Sequence, residues 1–129
     1  MILQVQELMG RSGHEAGRQL LEQMYRQATG KPLPPVLVAE GGKPYLQGDP
    51  LYFSISHTKR RVFCALSSRP VGIDAEELDR DIDLRLAEKI LSPGEYARFR
   101  EAEDPRKTLL TFWVLKEAQA KLRGTGLRG

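Results

Sequence analysis

The chain has 129 residues, 40% of them hydrophobic and 29% charged, with a formal net charge of +3. That length allows one compact domain or two small halves, no apolar run approaches the roughly 20 residues of a membrane-spanning helix, and a single cysteine, Cys64, excludes an internal disulfide. The mild, dispersed positive charge permits an acidic partner or a polyphosphate ligand without singling out nucleic acid.

Met1-Ile2-Leu3-Gln4-Val5 has neither a cationic lead nor a long apolar stretch, so no secretory signal is expected, and the lone cysteine fits a reducing cytoplasm. Ile2, Leu3, Val5 and Leu8 predict an opening strand. Ser12-Gly13 predicts a helix start; Gly17, Leu20, Leu21, Met24, Tyr25 and Ala28 recur at helical spacing, and Gly30 is a natural stop. Prolines 32, 34 and 35 hold the next residues extended. Residues 36–39 predict a strand, Gly41-Gly42 a turn, and residues 43–46 the return. Leu51 to His57 and Arg61 to Leu66 predict a hairpin joined by Thr58-Lys59-Arg60, with Cys64 as buried filler in its apolar alternation.

Residues 70–76 predict a further strand, after which the pattern turns helical. Leu84, Ala87, Ile90 and Leu91 form one apolar face; Ser92-Pro93-Gly94-Glu95 is a capping box with proline at the first helical position; Asp104-Pro105 opens the last helix. On that helix Trp113, Glu117 and Lys121 recur every four residues along one stripe, with Lys116 beside them. Leu110, Val114, Ala118 and Leu122 make the opposite stripe, expected to face the core. A soft boundary near Glu76 divides residues 1–76, an α/β half, from the helical residues 77–129.

Several groups carry chemistry. Asp74 and Glu76 stand at i and i+2, so in a strand their carboxylates converge and favour a hard cation such as Mg²⁺; the alternative is a strand end running into solvent, since Glu77 and Asp79 follow. Glu117 is either a third oxygen ligand or general base, or half of a surface pair with Lys121. His57, after Ser56 at a strand end, is either a phosphate or proton contact or a structural histidine. Gly41-Gly42-Lys43-Pro44 is a turn that presents a cation. Nucleophile-elbow, Walker, dinucleotide-fingerprint and zinc spacings are all missing from the sequence.

Four pieces in order, Gly42-Lys43-Pro44, Phe53-Ser54-Ile55-Ser56-His57, Val71-Gly72-Ile73-Asp74-Ala75-Glu76, and Trp113-Val114-Leu115-Lys116-Glu117-Ala118-Gln119-Ala120-Lys121 followed by Gly124-Thr125-Gly126, resemble the 4'-phosphopantetheinyl transferases. The mid-chain Asp-x-Glu after a Ser-His strand is similar to the Sfp-type (surfactin-synthetase-activating) branch. The resemblance implies an α+β fold with a pseudo-twofold arrangement of two small α/β halves, coenzyme A lying between them. It implies transfer of the phosphopantetheine arm from coenzyme A to a serine of an acyl- or peptidyl-carrier protein, releasing adenosine 3',5'-bisphosphate.

Carried onto this chain, it implies that Asp74, Glu76 and Glu117 ligate Mg²⁺ and that Glu117 helps deprotonate the serine. Lys121 and His57 would contact phosphates, with Gly42, Lys43, Pro44 and Ser56 lining the nucleotide pocket and Lys116 beside the cofactor. The family's early-helix cation has its nearest counterparts in His14 and Arg18. The family continues with strands beyond the Gly124-Thr125-Gly126 turn. The second half is therefore expected to be incomplete, and the chain to be of low stability as a monomer or to pair as a dimer. The alternatives are an inactive module that binds coenzyme A or the carrier, and a small basic nucleic-acid-binding domain. Neither nucleic acid nor membrane is the expected partner.

Overall fold

The structure, a computed structural model, describes residues 1–124. Strand β1 (Ile2–Glu7) leads through Ser12, whose hydroxyl accepts from the Glu15 amide, into helix α1 (Gly13–Thr29), which ends at Gly30 in a left-handed conformation. A short hairpin follows, β2 (Val36–Val38) with β3 (Pro44–Leu46). A longer hairpin, β4 (Tyr52–His57) and β5 (Arg61–Ser67), adds β1 to form an antiparallel sheet of order β1-β5-β4. Three helices complete the described chain: α2 (Leu86–Ile90), α3 (Pro93–Glu101) and α4 (Pro105–Arg123). The capping box at Ser92 and Glu95 forms as expected, and the Asp104 carboxylate caps α4 by accepting from the Lys107 amide.

Alternation sorts the three-stranded sheet into two faces. Phe53 stands opposite Leu66, Ile55 opposite Cys64 and His57 opposite Val62. This face receives α1, whose Ala16, Leu20, Leu21, Met24 and Tyr25 join Phe53, Val62, Cys64, Leu66 and Leu46 in the main core. Helix α1 comes close because its contact positions carry no side chain: a β-carbon at Gly17 would stand 2.6 Å from Ile55 Cγ2, and one at Gly13 would stand 2.2 Å from His57 Cγ. A second, smaller cluster lies among the helices, with Ala87, Phe99 and Leu109 buried and Ile90, Leu91 and Tyr96 packed on them.

Two expectations are corrected. Residues 70–76 are not a strand. They run extended over the sheet's other face, and their amides are taken by side chains rather than a backbone ladder. Ser54 Oγ accepts from the Ile73 amide at 3.0 Å and Ser56 Oγ from the Ala75 amide at 3.2 Å. The apolar stripe of α4 is also different. Leu109, Leu110 and Ala120 are its buried positions, whereas Val114 and Ala118 are half-buried and Leu122 is 42% exposed. The helix packs on α3 at its start and on residues 70–74 at its end, so one stripe cannot serve both contacts. None of the helices among the described residues is long and apolar enough to cross a membrane.

Candidate functional site

The site forms where the end of α4 meets the free edge of β4 and the extended residues 70–76. Gly72 permits that meeting: a β-carbon there would stand 2.4 Å from both the Ala118 carbonyl oxygen and the Leu122 amide nitrogen. Lys121, thus placed, donates from Nζ to the Ile55 carbonyl at 3.1 Å and lies 3.4 Å from Asp74 Oδ1. Ser56 Oγ also donates to Asp74 Oδ1, at 3.1 Å. Asp74 Oδ2 is buried with no hydrogen-bond partner among the described residues. Such an atom is costly unless a cation or donor reaches it.

Glu76 lies beside Asp74. Burial pushes its carboxyl above the usual range, and the charges of Asp74 and Glu117 push it further, while its hydrogen-bonded ion pair with Arg80 opposes them. The three acids therefore share one electrostatic neighbourhood. They do not form a ready cage: among the described residues, none of the His, Cys, Asp and Glu side chains gather in threes placed to hold a metal ion. Side-chain cations stand there instead, Lys121 on Asp74 and Arg80 on Glu76.

A cleft of about 540 Å³ opens beside this cluster, bounded by α1, the β2–β3 turn, β4 and the end of α4. It falls within the size range of small-molecule sites, roughly 300–1,000 Å³. His14, Arg18, Lys43, His57 and Lys121 line it, together with Gly42, Pro44 and Phe53, and among the described residues no carboxylate side chain does. A wall of cationic and apolar groups suits a polyanion with an organic portion. Lys43 donates to the Leu122 carbonyl at 2.8 Å and the Val71 carbonyl at 3.3 Å, and burial lowers its pKa. It thereby ties the β2–β3 turn to the C-terminal end of α4. His57 is exposed, with Nδ1 3.3 Å from the Thr58 carbonyl oxygen. It borders both this cleft and a second cavity that Glu76 and Arg80 also line.

The structure thus brings together Gly42, Lys43, Pro44, His57 and Lys121 at the cleft, and Asp74, Glu76 and Glu117 beside it. His14 and Arg18 join the cleft from the first turns of α1. Two predicted residues are not in its wall. Ser56 is buried under Asp74, which it positions. Lys116 points toward α3, its Nζ 2.9 Å from Glu95 Oε1, which satisfies its charge away from the cleft. Trp113 is half-buried. Thr125 and Gly126 lie outside the described residues.

Sequence reasoning gave no site role to Ser54, Gly72 or Gly13 and did not single out Arg80. The signals were two serines alternating on one face of an apolar strand, glycines where a helix meets a strand, and a base four residues after Glu76.

A family model described as the 4'-phosphopantetheinyl transferase superfamily matches residues 70–129. A 4'-phosphopantetheinyl transferase of Bacillus subtilis is 36% identical over 93 residues, covering 70% of this chain and 41% of that protein. The 4'-phosphopantetheinyl transferase Sfp of Bacillus subtilis strain 168 is 36% identical over 91 residues, covering 68% of this chain and 40% of its own length. The 4'-phosphopantetheinyl transferase HetI of Nostoc is 34% identical over 105 residues, covering 78% of this chain and 41% of its own length. The chain spans about two fifths of the length of these relatives. With the four ordered motifs gathered around one cationic cleft, the chain belongs to the 4'-phosphopantetheinyl transferase superfamily, where it is similar to the Sfp-type proteins.

Proposed function

We propose that this chain transfers the 4'-phosphopantetheine arm of coenzyme A to a serine of an acyl- or peptidyl-carrier protein, with Mg²⁺ as cofactor and adenosine 3',5'-bisphosphate as the product released. The observation that carries this reading is the cleft walled by His14, Arg18, Lys43, His57 and Lys121, directly beside the Asp74, Glu76 and Glu117 acids. Coenzyme A offers a matching charge pattern, a pyrophosphate and a 3'-phosphate on an adenosine. The division near Glu76 into two halves is supported by the two separate apolar clusters, one on each side of it; a pseudo-twofold relation between the halves is part of the same proposal.

The acids fit a hard divalent cation. Asp74 Oδ2 is buried without a partner, and Glu76 is pushed toward neutrality by burial and by two neighbouring carboxylates; a cation held by Asp74, Glu76 and Glu117 relieves both penalties. Such a cation, when bound, would supply positive charge to the pyrophosphate. The remaining work falls to side chains. His14 and Arg18 on α1 face the cleft where a 3'-phosphate can dock. Lys121 places positive charge, and His57 an imidazole ring, beside the reacting phosphoryl group, where transfer depends on positioning and electrostatics. Glu117 accepts the proton of the carrier serine, directly or through water, as its oxygen bonds to phosphorus and the bond to adenosine 3',5'-bisphosphate breaks.

The decisive test is mass spectrometry of an apo carrier protein incubated with this chain, coenzyme A and Mg²⁺. A gain of one phosphopantetheine is expected. Calorimetric binding of coenzyme A with no gain of mass would instead support a module that retains recognition without turnover.

A further inference from the structure

We propose that Arg80 is a resident counter-ion of the acid cluster, one that neutralises Glu76 in the cation-free protein, competes with a divalent cation for that carboxylate, and so sets the cation affinity of the site. This rests on reading Asp74, Glu76 and Glu117 as cation ligands.

The two internal cations of the cluster are held differently. Lys121 is anchored twice, on the Ile55 carbonyl and on Asp74, so it keeps a partner whatever Asp74 binds. The Arg80 guanidinium is bonded to Glu76 Oε1 alone among the described residues. Its backbone is fixed while its side chain is free to leave. Arg106 of α4 donates from Nη1 to the Leu78 carbonyl at 2.7 Å and the Arg80 carbonyl at 3.0 Å, and the Arg80 amide donates to the Glu77 carbonyl at 3.1 Å. Glu77 is itself tied down by the Thr58 hydroxyl at 2.7 Å and by Arg61 at 3.5 Å. Arg80 therefore stands on a clamped turn, 42% exposed at its side chain, above a Glu76 that is only 19% exposed.

The cavity on that side, about 560 Å³, is lined by Arg80, by Asp79 and Asp81, and by Lys59 and Arg60, so a displaced guanidinium has room in a wall that also carries carboxylates. A guanidinium and a divalent cation on one carboxylate repel each other, and occupancy by one disfavours the other. The Arg80 pair offsets part of the repulsion that Asp74 and Glu117 exert on Glu76.

The test is Mn²⁺ binding, followed by the electron paramagnetic resonance signal of the free ion, in the unmodified chain and in Arg80→Gln, Arg80→Lys and Glu76→Gln, each checked as folded by circular dichroism. Removing a half-exposed competing charge should tighten Mn²⁺ binding about fivefold in Arg80→Gln, the scale of a partly exposed ion pair. Arg80→Lys, which keeps the charge, should stay within about twofold of the unmodified chain. Glu76→Gln should weaken binding at least about tenfold. If Arg80→Gln binds no more tightly than the unmodified chain while Glu76→Gln loses affinity, the counter-ion role is overturned and the cation site stands. If Glu76→Gln binds Mn²⁺ like the unmodified chain, the cation site fails and the counter-ion role fails with it.

Discussion

Gly72 lies so close to Leu122 that a β-carbon at position 72 would stand 2.4 Å from the Leu122 amide nitrogen. The obstacle is backbone inside a helix and cannot rotate away. Gly72→Ala should therefore push the end of α4 off the sheet edge, costing about 2–3 kcal/mol. The same shift moves Lys121 away from Asp74 and Ile55, so coenzyme A affinity should fall with stability. Urea unfolding and calorimetry read the two effects; a variant of undiminished stability would refute this packing.

Glu117→Gln keeps size and hydrogen bonding but removes a charge and a proton acceptor. The rate of carrier modification should drop by at least about a hundredfold, the scale of a lost general base. Coenzyme A binding measured without a divalent cation should persist, because Glu117 is not in the cleft wall. A time course by mass spectrometry checks the first, and an unchanged rate would remove Glu117 from the reaction.

Ser54 and Ser56 separate stability from site geometry. Each hydroxyl satisfies one amide of residues 70–76, and each change to alanine should cost about 1–2 kcal/mol by leaving that amide unpaired. Only Ser56 also donates to Asp74. Ser56→Ala should therefore weaken Mn²⁺ binding as well, whereas Ser54→Ala should leave it unchanged once folded protein is compared.

The Lys116 ammonium beside Glu95, helped by the Ser92 amide, holds the Glu95 carboxyl below its ordinary value of 4.5. The folded value is below the unfolded one, so this stabilisation is fully present above pH 4.5 and is lost as pH falls through the folded value. Glu95→Gln should melt at a lower temperature than the unmodified chain at neutral pH. The two melting curves should converge once the pH has fallen below the folded value, where Glu95 and its glutamine replacement are both uncharged. Parallel curves across the whole range would show that the pair contributes nothing.

Much of this was legible in the sequence because local signals sufficed. The Ser12 and Gly30 caps bound α1, the Ser92-to-Glu95 box starts α3, and alternation marks β4 and β5. The cleft residues were legible only through the order of distant motifs. Residues 70–76 misled because an extended, β-branched run looks the same whether its amides meet a neighbouring strand or two serine hydroxyls. The stripe of α4 misled because helical periodicity assumes a single packing surface, whereas this helix has one partner at each end. Lys116 shows the same limit: spacing places it near Glu117, but only the position of Glu95 decides where its charge goes.

The bond from Lys43 to the Leu122 carbonyl joins positions 79 residues apart in the chain. Closing so long a loop is entropically slow, whereas the helix-on-hairpin core of residues 16–66 assembles from nearer neighbours. Cleft formation should thus be the late event in refolding, following the helix-on-hairpin core. A chain can then acquire its native core, and resist proteolysis there, well before the cleft between α1 and the end of α4 exists.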